Sequence, residues 1–141
     1  YIKEYRNRFS ECMLHSRALE TLEVLNELSI SQTILTAGQQ EDVESFACFF
    51  NVKQWVQWID GASNIEAHGK GDRAAAHISK LKFDPKDVLL IGDTLHDQEI
   101  ANLVGCKALL YSHGHVDAER LRQLKDPVIE SLYDVIKWVR D

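Results

Sequence analysis

Apolar residues recur along this chain with a helical period in some stretches and in short unbroken runs in others. Ile2, Tyr5, Phe9 and Met13 share one face, with Lys3, Glu4, Arg6 and Arg8 on the other, and predict a helix over residues 1–13. Ala18, Leu19, Leu22, Leu25 and Leu28 predict a second over 17–28, with Ser16 as its N-cap. Residues 32–36 are short and β-branched, a strand broken by Ala37-Gly38. The polar stretch 39–42 then opens a helix that carries Val43, Phe46, Ala47 and Phe50 inward. Residues 55–59 read as a further strand bounded by Asp60-Gly61, its two tryptophans packing as core or cover. Residues 63–71 are loop-like and place Lys70 between Gly69 and Gly71, just ahead of a helix over 72–82. That helix turns Ala75, Ala76, Ile78 and Leu81 to the core.

After Pro85 the aliphatic run Val88-Leu89-Leu90-Ile91 is long enough for a strand buried on both faces. Ile100, Ala101, Leu103 and Val104 define a short helix, with Gly105 where a C′ glycine would end it. Residues 108–111 form another strand, 119–124 a short helix and 127–129 an extended piece. Leu132, Val135, Ile136 and Val139 line a terminal helix. Strands alternating with helices in this order predict an α/β fold, a Rossmann-like parallel sheet with helices on both faces.

The length of 141 residues suits one domain. A net charge of −6, with no basic stripe or tail, argues against a nucleic-acid partner or an anionic membrane surface. No apolar run approaches the ~18 residues of a membrane span. Cys12, Cys48 and Cys106 form no CxxC pair and sit among apolar neighbours, so they read as buried free thiols in a reducing compartment. Cytoplasm is the default that follows.

Candidate chemistry gathers at strand ends, where open α/β sheets bind ligands. The run 88–91 stops at Gly92 and is followed by Asp93 and Asp97, one helical turn apart. Two acids delivered to that edge suit a hard, oxygen-seeking cation; equally, an Asp there caps the next helix. Thr36-Ala37-Gly38 puts a hydroxyl and free N–H groups at a helix start, which suits an anion, although Thr also ends strands without function. His113 and His115 flank Gly114 on the same edge. They could bind a metal or shape the pocket, but no third ligand lies at a matching spacing.

Thr36, then Lys70, then Gly92-Asp93-Thr94-Leu95-His96-Asp97, in that order and on those elements, resemble the haloacid dehalogenase superfamily. The resemblance is close to the phosphoglycolate-phosphatase-like branch, in which a pair such as Gly114-His115 also recurs. The resemblance runs from about Leu19 to the C-terminus. It implies a Mg²⁺-dependent phosphatase acting on a small phosphorylated metabolite. Asp93 would be a metal ligand, and Asp97 would ligate through water or hold Lys70. The Lys70 ammonium would offset charge on the phosphate and the attacking carboxylate. Thr36 Oγ and the N–H groups of Ala37 and Gly38 would hold phosphate oxygens. Phosphoryl transfer is mainly positioning and charge neutralisation, so these roles are chemically coherent.

The chain departs from the family pattern in one respect. It contains no DxDx(T/V) stretch, and no Asp precedes Asp42, so the family's nucleophile strand is absent. In the family that strand lies mid-sheet, between the strands ending at Thr36 and Gly92. The resemblance therefore implies that residues 1–15 are the tail of a cap domain and 16–141 the C-terminal part of the core. The missing N-terminal part of the same protein would be its partner, and the piece alone would be inactive. Otherwise the two flanking strands would pair directly in a rearranged sheet. The competing readings are a non-catalytic remnant that keeps an anion or regulatory site, and a receiver-like domain, which would place its first acidic strand earlier.

Overall fold

The computed structural model describes residues 17–61, 70–112 and 127–140, apart from the side chains of 70–72 and 140. The expected helices over 1–13 and 119–124, Ser16, Cys12, His113, Gly114 and His115 lie outside the described residues. The chain divides into two compact units, Tyr1–Ile65 and Glu66–Asp141.

In the first unit, α1 (Ala18–Glu27) leads to β1 (Ile34–Leu35), α2 (Gln40–Phe49) and β2 (Ile59–Asp60). The position capping α1 is Arg17 rather than Ser16. Arg17 sits in the left-handed region at φ 64° and makes no capping bond. Its guanidinium instead grips Glu20 at 2.9 and 3.1 Å, which holds the Glu20 carboxyl below its usual range. Both helices end on left-handed residues that are not glycine. Ser29 (φ 62°) and Asn51 (φ 61°) close them, with Ile30 N–H on Leu25 and Val52 N–H on Ala47.

β1 and β2 pair in parallel, Ile34 with Ile59 and Leu35 with Asp60. The strand expected over 55–59 is displaced: Lys53–Trp55 is a 3₁₀ turn and pairing begins only at Ile59. Ahead of it Gln57 N–H donates to the Gln32 carbonyl at 2.8 Å, and side chains add to that backbone bond. Gln57 Oε1 accepts from Gln32 N–H, and Gln32 Nε2 donates to the carbonyls of Leu22 and Trp55. Ala47, Val52 and Ile59 form the buried centre, with Leu22, Ile34, Val43, Phe50 and Val56 packed around it.

In the second unit, α3 (Lys70–Leu81) is followed by β3 (Leu89–Gly92), α4 (Leu95–Val104), β4 (Lys107–Tyr111), β5 (Val128–Ile129) and α5 (Val135–Arg140). The sheet is parallel throughout, in the order β3-β4-β5. β4, flanked on both sides, is buried, with Leu109 and Leu110 fully enclosed. β3 is not buried on both faces as its aliphatic run predicts. Among the described residues it is an edge of its sheet, and Ile91 is 41% exposed.

Two helical stripes are also rotated from expectation. In α3, Ala74 and His77 are buried and Ala75 is exposed, because a polar His occupies a core position that an apolar count passes over. In α4, Gln98, Ile100 and Ala101 are buried and Leu103 is 73% exposed. Gly105 ends α4 at φ 83°, as its placement predicts. Cys48 is exposed rather than buried. Cys106 is half-buried, and desolvation pushes its thiol pKa up.

The contrast between the two leucines is measurable. Leu109→Ala should destabilise the protein by about 2–5 kcal/mol in urea unfolding, whereas Leu103→Ala should change it by less than about 0.5 kcal/mol.

Candidate functional site

The second unit's site is built on the turn from β3 into α4. Four consecutive aliphatic residues carry the chain to the carboxyl edge, and Gly92 ends the strand. A Cβ on Gly92 would collide with Cβ, Cγ and Oδ2 of Asp97, so only glycine lets that side chain lie across the strand end. Oδ2 of Asp97 accepts from Asp93 N–H at 3.0 Å, Thr94 N–H at 3.1 Å and Thr94 Oγ1 at 3.0 Å. The Thr94 hydroxyl oxygen in turn accepts from Asp97 N–H at 3.3 Å. This is a capping box, with Thr94 as N-cap and Asp97 at the third helical position.

Of the two sequence readings of the acidic pair, the structure shows the helix cap. Asp97 is a cap, and it fixes the backbone from which Asp93 projects at the sheet edge. Asp97 also carries its negative charge at the positive end of the helix dipole. Thr94 was missed as a participant, although a hydroxyl three residues before an acid at a helix start is a readable signal. Among the described residues no three His, Cys, Asp or Glu side chains are grouped to hold a metal. What this turn offers is hard carboxylate oxygen in small number. That donor set fits an ion which takes one or two carboxylates and keeps several waters, as Mg²⁺ does.

Lys70 is the first residue of α3 rather than part of a loop ahead of it, and its side chain lies outside the described residues. Lys80 and Lys82, on the same helix and just past its end, are exposed.

In the first unit, Thr36, Ala37 and Gly38 follow β1. Thr36 N–H donates to the Asp60 carbonyl at 3.0 Å, which extends the ladder by one step. Gly38 N–H donates to Thr36 Oγ1 at 3.1 Å, so this hydroxyl and amide satisfy one another across the turn. Gln40, the first residue of α2, reaches over to β2. Its Nε2 donates to the Ile59 carbonyl at 2.8 Å, and its Oε1 accepts from Gly61 N–H. Gly61 lies against Gln40 Cα and N and the Gly38 carbonyl, where a Cβ would come within 2.8 Å of each. The turn after β1 is thus clamped to the end of β2.

Asp60, read from the sequence as part of a bounding turn, is instead a wholly buried strand residue. An Asp-Gly pair signals a turn, so pattern reading had no means of finding it.

The family model described as haloacid dehalogenase-like hydrolase matches residues 1–111. Phosphoglycolate phosphatase 1 of Pseudomonas aeruginosa is 23% identical over 96% of this chain and 51% of its own length. The chain thus spans about half the length of that curated relative. A haloacid dehalogenase-like family hydrolase from Streptococcus pneumoniae superposes with a TM-score of 0.85 at 21% identity, covering 97% of this chain and 67% of that one. A structure described as a predicted phosphoglycolate phosphatase from Haemophilus somnus gives 0.84 at 20% identity, covering 95% and 61%. At these identities the structural likeness speaks for the fold.

The capping box predicts a specific cost. Thr94→Ala should lower stability by about 1 kcal/mol in urea unfolding, and Thr94→Ser should recover most of it.

Proposed function

The chain belongs to the haloacid dehalogenase-like hydrolases, and on that premise we propose that it is the C-terminal part of a Mg²⁺-dependent phosphatase of small phosphomonoesters. The observation that carries this reading is the turn 92–97. A glycine-dependent, fully capped loop sets Asp93 at the carboxyl edge of a parallel sheet, in a chain of this family. The relative's name supports a phosphorylated small molecule as substrate.

In this reading Asp93 would ligate the ion, and Asp97, which holds the Asp93 backbone, would reach it through water. Bound Mg²⁺ would supply neutralisation of charge developing on the phosphoryl oxygens. Lys70 offsets charge on the phosphate and on the attacking carboxylate. Thr36 Oγ1, now accepting from Gly38 N–H, would exchange that bond on binding. The hydroxyl and the N–H groups of Ala37 and Gly38 then donate to phosphate oxygens. The nucleophile is an Asp upstream of this chain. It forms an aspartyl-phosphate as the alcohol leaves, and water then hydrolyses that intermediate.

In the intact protein, Asp93→Asn should lower turnover of an aryl phosphate by orders of magnitude and weaken its Mg²⁺ dependence. Unchanged steady-state kinetics would remove Asp93 from the metal site. The 141-residue chain alone should show no Mg²⁺-dependent turnover above background. Robust activity of the pure chain would contradict the assignment of the nucleophile.

A further inference from the structure

Ser112 follows directly on β4, the most buried strand of its unit. The residue is 7% exposed, and its hydroxyl has no hydrogen-bond partner among the described residues. Buried hydroxyls left in that state are rare and costly, and each asks for an explanation.

The ladder shows which way this side chain faces. Leu110 N–H donates to the Pro127 carbonyl and Ser112 N–H to the Ile129 carbonyl, each at 2.9 Å, so strand alternation continues through Ser112. Leu110 is in register with Gly92 on β3. Paired residues of adjacent strands turn to the same face, and Ser112, two positions beyond Leu110, shares it. That is the face on which a Cβ at Gly92 would meet Asp97. The Ser112 hydroxyl therefore stands at the carboxyl edge, one strand over from the turn 92–97 and on the side where the Asp97 carboxylate lies.

We propose that Ser112 Oγ hydrogen-bonds a water of the hydrated divalent cation held at Asp93, an inference that rests on the metal reading above. A serine hydroxyl offers one donor and two acceptor lone pairs, so it can accept a hydrogen bond from a metal-bound water without adding charge. A bare anion is the poorer occupant, because Asp93 and Asp97 already set two carboxylates on this edge. Groups that bind the waters and ligands of a metal typically carry 10–100-fold of its affinity.

The test is calorimetric titration of the intact protein with Mg²⁺ alone, alongside urea unfolding without metal. Ser112→Ala should weaken Mg²⁺ binding about 10–100-fold while leaving the unfolding midpoint unchanged or raised, since an unpaired buried hydroxyl is replaced by a methyl. Ser112→Cys, which keeps the volume and loses most of the hydrogen-bonding strength, should weaken binding in the same direction. Two outcomes overturn the proposal: Ser112→Ala affinity within twofold of wild type while Asp93→Asn abolishes the titration, or a midpoint that falls together with affinity. Wild-type protein that takes up no Mg²⁺, or Asp93→Asn protein that binds as wild type does, would instead overturn the metal reading on which the proposal stands.

Discussion

One carboxylate oxygen organises the carboxyl edge of the second unit. Oδ2 of Asp97 gathers two backbone N–H groups and a hydroxyl within 3.1 Å, and this contact requires glycine at position 92. A buried or half-buried N–H left without a partner costs about 1–3 kcal/mol, so losing this acceptor would free several donors at once. The direction in which Asp93 leaves the strand is set by the same oxygen. Stability and candidate chemistry thus depend on one group at this point. Cap and ligand are not rival descriptions of the acidic pair, because the cap builds the place where a ligand could stand.

The sheets supply the second constraint. β4 is paired on both sides and buries Leu109 and Leu110, whereas β3 pairs only with β4 among the described residues and leaves Ile91 exposed. Its composition is nevertheless that of a strand enclosed on both faces, as in parallel sheets covered by helices. In the first unit, β1 likewise pairs only with β2. An aliphatic strand with an open edge is a liability in a finished protein.

Pattern reading succeeded where one local rule decides the outcome. Gly105 ends α4 because a left-handed C-terminal residue favours glycine, and the aliphatic run ending at Gly92 becomes a strand feeding a helix. It failed where tertiary packing overrides propensity. The β-branched and aromatic content of 55–59 is spent on a 3₁₀ turn and a side-chain-bridged approach, since the chain must return from α2 before it can pair. Ala75 and Leu103 face outward, while the polar residues His77 and Gln98 take buried positions on the opposing sides of their helices. Ser29 and Asn51 end helices by adopting φ above 60°, which their residue types permit but do not announce.

The two candidate turns use the same device in opposite senses. After β1, a hydroxyl accepts from a backbone amide two residues on, leaving neutral groups that an anion can recruit by exchanging one bond for another. After β3, a carboxylate accepts from amides three and four residues back, so the turn carries negative charge and calls for a cation. The difference between Thr36 and Asp97, two short side chains that each receive backbone N–H groups, is therefore one of charge.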